Sequence, residues 1–227
     1  MKTNNFIITN LDTDSISFSK QDGSLFSKEE QYKLIEELNS QFDAEIKFAH
    51  DGYFPRFVVL RAKNYIMYDG KKIKIKGSAL KSSTLEPKLK ELINIFIEKL
   101  ALDKADINYE DVYKDFIKQA SNITDIKPWS KKMTLSEKTF NSVRENEQKV
   151  VRAIKGTDYK EGDKVYVYPK VSGELGLADN FNNDYNVDLY YEKLFKTVKR
   201  FSTVIDISNF LNYKLKKNKE KLNEIIY

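Results

Sequence analysis

The sequence predicts an α+β fold: antiparallel β hairpins with packed helices first, then a mostly α-helical part. Two features carry this. Apolar residues alternate on either side of two turn signals, Asp12-Thr13-Asp14 and Asp69-Gly70, as antiparallel hairpins require. From Ser83 onward they fall instead at helical spacing, the stripe of amphipathic helices.

The first hairpin comes from Phe6, Ile7 and Ile8 on one arm and Ile16 and Phe18 on the other, with turn-forming residues between. Asp12 and Asp14 fall at its tip. Side chains two apart share a face of extended backbone, so both carboxylates are expected to point the same way. Like charges held together need a cation or a cluster of donors. Magnesium suits such a site, because it takes carboxylate oxygens and keeps positions for water or substrate phosphate. The plainer alternative is a solvated tip whose aspartates bond the turn backbone.

Ser27 with Glu30 forms a capping box, and Leu34, Ile35, Leu38 and Phe42 follow at helical spacing, which predicts a helix over about 28–41. AEIKFAH and FVVLRAKNYIMY read as strands, followed by the Asp69-Gly70 turn and KKIKIKG. In that last arm Lys72, Lys74 and Lys76 share one face, opposite Ile73 and Ile75. Ser83 or Thr84 is the expected cap of a helix with Pro87 in its first turn and Leu89, Leu92, Ile93, Phe96, Ile97 and Leu100 as its stripe. A second amphipathic helix is expected over about 109–120. NITDIKPWSKK then reads as a connection and the domain boundary, dividing the chain into 1–121 and 122–227, with Trp129 as a packing anchor. Beyond it come a polar helix from about Ser136 to Lys155, stopped by Gly156, a strand in GDKVYVYPK, and closing helices in VDLYYEKLFKTVKRF and ISNFLNYKLKKNKEKLNEIIY.

Composition narrows the chemistry. The 227 residues are long enough for a real core, and 41% hydrophobic content with 14 Phe and 14 Tyr argues against disorder. Without cysteine there is no disulfide, zinc–thiolate site or cysteine nucleophile, and the single histidine, His50, rules out a multi-histidine metal centre. Catalysis, if any, rests on carboxylates and a metal, supported by Lys or Arg. No apolar run approaches the about 18 residues of a membrane span, so no membrane partner is expected. The net charge of +5 is unevenly placed: Arg61, Lys63, Lys71, Lys72, Lys74, Lys76 and Lys81 stand against the one acid Asp69. Such clustering suits a phosphate-binding surface or a solvated edge.

Several stretches, in order, resemble family B DNA polymerases. Asp12-Thr13-Asp14-Ser15 is similar to that family's palm motif Asp-Thr-Asp-Ser, and Lys63-Asn64-Tyr65 to the end of its Lys-Lys-x-Tyr motif. KIKIKGSALKSSTLEPKLKELI resembles the Lys-x-x-Gly segment and Ser-Ser-Thr helix start of the tailed-phage branch. VVRAIKG and GDKVYVYPK resemble thumb elements, and VDLYYEKLFKTVKRF the Asp-x-x-Tyr-Tyr near the family's end. Asn10 stands where the family usually has Tyr, and Ala62 where it has the first Lys.

The resemblance implies a partial palm over 1–121 and a thumb over 122–227. Asp14 would be the principal metal-liganding and catalytic carboxylate, with Asp12 as the second. Lys63 and Tyr65 would hold the primer-template near its terminus, with Lys76 and Gly77 along the duplex; Arg61, Lys72 and Lys74, singled out by charge alone, are the further DNA-binding candidates. Two Mg2+ ions would be shared with another chain, since the family's other metal-binding Asp, nucleotide-binding helix and exonuclease belong upstream of a motif preceded here by eleven residues. Partners implied are that N-terminal chain, carrying exonuclease, fingers and the rest of the palm, together with primer-template DNA and dNTP. A sliding clamp docking on the terminal EIIY is a further candidate, against a frayed helix end. The implied setting is the cytoplasm of a phage-infected bacterium. A non-catalytic DNA-binding module derived from the palm and thumb is the alternative.

Overall fold

The computed structural model describes residues 6–43, 45–78, 80 and 84–210. It divides into two compact units, between Gly77 and Ser78.

In the first unit, β1 (Phe6–Leu11) and β2 (Ile16–Lys20) form an antiparallel hairpin, as their alternation predicts. A bulge interrupts the register between Ile8 and Asn10. Helix α1 (Lys28–Asn39) begins at the expected capping box: the Ser27 hydroxyl accepts from the Glu30 amide, and the Glu30 carboxylate accepts from the Ser27 amide. A meander of β3 (Arg56–Arg61), β4 (Asn64–Tyr68) and β5 (Ile73–Lys76) follows. Its central strand is the unit's best-buried element, with Asn64 through Met67 all buried.

Two expectations fail here for identifiable reasons. AEIKFAH forms no described strand. Its Phe48 backbone is held instead by one side chain: Asn39 Nδ2 donates to the Phe48 carbonyl at 2.9 Å, and the Phe48 amide donates to Asn39 Oδ1 at 2.6 Å. That amide does what a neighbouring strand would do. FVVLRAKNYIMY is two strands, not one, because the chain reverses at Ala62-Lys63 with Lys63 in the left-handed region (φ 60°).

The second unit has a helical part and a sheet part. Helices α2 (Pro87–Leu102), α3 (Tyr109–Ser121) and α6 (Val187–Val198) pack together. Phe96 meets Tyr109 and Phe201, and Tyr113 stacks on Phe210 at 5.0 Å. Strands β6 (Lys131–Thr134), β7 (Lys164–Pro169) and β8 (Leu175–Leu177) form an antiparallel sheet. Against it packs α5 (Glu145–Ile154), over a core of Leu135, Val150, Ile154, Val165, Val167 and Leu177. Trp129 is the expected anchor: 4% exposed, edge-on to Tyr190, and accepting the Tyr190 hydroxyl at its carbonyl.

Compactness thus divides the chain elsewhere than at the expected 121/122. Helices α2 and α3 bury their stripes against α6, with Ser121 Oγ 2.7 Å from Tyr191 Oη, so they belong to the second unit. The cap of α2 also differs. Ser83 lies outside the described residues, and Glu86 is the N-cap, with Pro87 in the first turn. The Glu86 carboxylate makes no capping bond and accepts from Lys193 on α6 at 2.5 Å. The long polar helix is broken in two, α4 (Glu137–Phe140) and α5. Asn141 and Ser142 favour local bonds over helix continuation, and Gln148 Nε2 caps the Ser142 carbonyl at 2.6 Å. Lys81, the closing KLKKNKEK and EIIY lie outside the described residues.

Candidate nucleic-acid interface and acidic hairpin

The turn Asp12–Ser15 closes β1 onto β2 through the Asp12 amide, which donates to the Ser15 carbonyl at 2.9 Å. Asp12 Oδ1 accepts from the Thr13 amide at 2.9 Å. Lys63 Nζ, from the β3–β4 turn, lies 3.8 Å from the same oxygen. Asp14 is exposed, and no described residue bonds or pairs with it. The strand alternation that would aim both carboxylates one way stops at the turn, so the two acids have different surroundings. Among the described residues no three His, Cys, Asp or Glu side chains cluster closely enough to hold a metal ion.

The basic hairpin stands on its own turn. The amides of Lys71 and Lys72 donate to Asp69 Oδ1 at 2.9 and 2.8 Å, and these bonds, Lys72 first, hold the Asp69 carboxyl below its ordinary pKa. Lys74 Nζ pairs with Asp69 Oδ2 at 3.4 Å. On β5 the pattern is as the sequence predicts, with Lys74 and Lys76 exposed and Ile73 and Ile75 half-buried. Both ammonium groups lie over aromatic rings, Lys74 Nζ over Phe54 at 5.4 Å and Lys76 Nζ over Tyr65 at 5.9 Å, within the range of cation–π attraction. Arg61, Lys63, Lys71 and Lys72 are exposed as well.

Of two other predicted site residues, one lies inside the sheet and one just past its end. Tyr65 is 5% exposed and stacked on Phe57 at 5.1 Å. Gly77 has φ 95°, and a Cβ there would come within 2.3 Å of Asn64 Oδ1 and 2.4 Å of the Lys63 carbonyl. His50 is exposed, bonded to Gln31 at 3.0 Å and stacked on Tyr32.

The second unit carries basic residues that sequence reasoning did not single out. Lys127 and Lys132 approach the half-buried Tyr166 ring at 5.0 and 5.7 Å. Lys164, also exposed, lies two residues from Tyr166 on β7, hence on the same face. KPWSKK held the signal, but only strand pairing, Lys132 opposite Tyr166, brings the charges to one ring.

No protein-family model matches the chain, and no curated protein matches its sequence. Among solved structures it is similar to the family B DNA polymerase from the hyperthermophilic archaeon Pyrobaculum calidifontis, with a TM-score of 0.63 at 16% identity. The match covers 90% of this chain and 28% of that one. The fold is therefore like that of part of a family B polymerase: mixed α+β, with small antiparallel sheets and packed helices. No helix among the described residues is long and apolar enough to cross a membrane.

Proposed function

We propose that this chain is the C-terminal portion of a family B DNA polymerase, contributing one acidic metal-binding hairpin and the grip on the primer-template duplex. The observation that carries the reading is the Lys63–Asp12 approach. It puts the acidic tip beside the basic hairpin within a fold like that of a polymerase. An acid pair next to a lysine-rich surface suits metal-assisted chemistry on a polyanion.

Asp14 offers a free carboxylate, and Asp12 one already shared with Lys63. Both supply the hard oxygen donors that Mg2+ takes, but two acids are an incomplete set. The remaining ligands would come from an N-terminal partner chain that also carries the fingers and exonuclease. When bound, the divalent ions would stabilise attacking and leaving oxygens in nucleotidyl transfer. The lysines of β5 would meet duplex phosphates, and the Lys127–Lys132–Lys164 face would do so from a thumb-like second unit. The setting would be the cytoplasm of a phage-infected cell.

Single-turnover, magnesium-dependent primer extension by the reconstituted two-chain complex tests this. The chain alone should extend nothing, the complex should extend, and Asp14→Asn should abolish extension while DNA affinity survives. Extension by Asp14→Asn at the unmodified rate would reduce the motif to a turn and favour a non-catalytic DNA-binding module.

A further inference from the structure

We infer that Asn64 and Gly77 are positioning residues for Lys63, holding its turn so that the ammonium is presented beside the acidic tip; this rests on reading the chain as a primer-template-binding polymerase part. Lys63 adopts φ 60°, a conformation that L side chains other than Asn and Asp rarely take. Something must hold it there. The Lys63–Asp12 pair is a poor candidate, because it spans 3.8 Å with the lysine side chain 75% exposed. Such exposed pairs barely repay the ordering of the side chains.

The backbone of the turn is held from the opposite side. Asn64 is 7% exposed, and its Nδ2 donates to the Ala62 carbonyl at 2.9 Å, closing the reversal around Lys63. Gly77 continues β5 directly past the Tyr65–Lys76 pair and packs against both the Asn64 amide and the Lys63 carbonyl. Any side chain at position 77 would displace one or the other, and φ 95° already favours glycine there. The glycine that the resemblance puts along the duplex therefore has a second duty, as the floor of the Lys63 turn. Buried Asn64 acts through Lys63, which alone of the three projects a charge.

The test uses the full chain and a primer-template duplex with a recessed 3′ end, its affinity measured across a salt series. Lys63→Ala should flatten the slope of log affinity against log salt by about 0.9, the loss of one phosphate contact. Asn64→Ala and the near-isosteric Asn64→Leu should flatten it equally, although neither removes a charge. Adding Lys63→Ala to either should flatten it no further. Gly77→Ala should behave like the Asn64 variants.

A merely structural Asn64 would lower the melting temperature and leave the slope alone. That result in a folded variant overturns the inference, as does an unchanged slope for Lys63→Ala. Should every Asn64 variant unfold, the unmodified chain decides. A side-chain amide proton of Asn64 protected from solvent exchange supports the clasp, and free exchange overturns it. Absence of salt-dependent binding by the unmodified chain would fail the polymerase reading itself, and with it any reason to position Lys63. Normal binding with unaltered slopes in the variants fails this inference alone.

Discussion

Lys63 Nζ stands 3.8 Å from Asp12 Oδ1, whereas Asp14, two residues further on, is exposed with no described partner. The two carboxylates of one short turn are therefore unequal. Asp12 is tied into the turn by the Thr13 amide and lies near Lys63; Asp14 has no described partner. Asp12→Asn keeps an oxygen for the Thr13 amide and loses only a long, exposed ion pair, so stability should change by no more than about 1 kcal/mol. Asp14→Asn should be neutral or slightly stabilising, because it relieves like-charge repulsion. In the two-chain complex the order should reverse in severity, Asp14→Asn abolishing extension and Asp12→Asn only slowing it. Melting curves run beside single-turnover assays check both halves. Equal rate losses would contradict the asymmetry.

The lysines of β5 are the second point of attack. The ammonium groups of Lys74 and Lys76 lie over Phe54 and Tyr65, so truncation to Ala would also uncover aromatic surface and confuse packing with charge. Lys72, Lys74 and Lys76 replaced together by Gln keep much of that cover. Three lost phosphate contacts should flatten the salt slope of primer-template binding by about 2.7 units. Lys74 already pairs with Asp69 at 3.4 Å, so its single variant should have the smallest effect. A slope that the triple variant leaves intact would make the hairpin a solvated edge.

What was legible in the sequence was whatever its local chemistry decided. The Ser27–Glu30 capping box, the Asp12–Ser15 tip and the stripe of α2 all depend on neighbours a few residues apart. The failures depend on distant or weakly signalled partners. Asn39 replaces a strand pairing for Phe48, and no periodicity announces a single side chain acting as a ladder. Lys63 reverses the chain where Gly or Asn would have marked the turn. Helices α2 and α3 find apolar partners on α6, late in the chain, which no local pattern announces. At the site, the acidic and basic segments were readable from composition. Their meeting at Lys63 and Asp12, and the burial of Tyr65, needed the folded sheet.

Glu86 and Lys193 tie the start of α2 to α6 at 2.5 Å, with the Glu86 side chain 7% and the Lys193 side chain 28% exposed. Removing one partner of a buried pair strands the other charge. Glu86→Gln should therefore destabilise the second unit by about 2 kcal/mol, below the 3–5 of a fully buried pair, because Lys193 retains access to water. Lys193→Met combined with Glu86→Gln should recover much of the loss. Urea unfolding of the four proteins gives the coupling, and strictly additive losses would show that the pair is not a unit.

The second unit also sets a limit on alkaline stability. Burial pushes the phenol of Tyr113 up to about 12, and that of Tyr168 up to about 12 through burial and then its bond to Asp184. Tyr190, sealed against Trp129, is raised further, chiefly by burial. In the unfolded chain these groups ionise near pH 10. A folded pKa above the unfolded one means that the folded state holds its proton longer. The associated stability is complete below about pH 10 and is lost as pH rises from there towards 12. Melting temperature should accordingly be level from pH 8 to about 9.5 and then fall steeply. Tyr113→Phe removes a group whose shift comes from burial alone, so it should behave much like the unmodified chain at pH 8. By pH 12 it should have lost less, by about 2–3 kcal/mol for a shift of two units. Circular dichroism melts across the pH series, with tyrosinate absorbance followed in parallel, measure both terms. A melting temperature that stays level to pH 12, or a Tyr113→Phe variant that falls in step with the unmodified chain, would show that these phenols do not govern the alkaline limit.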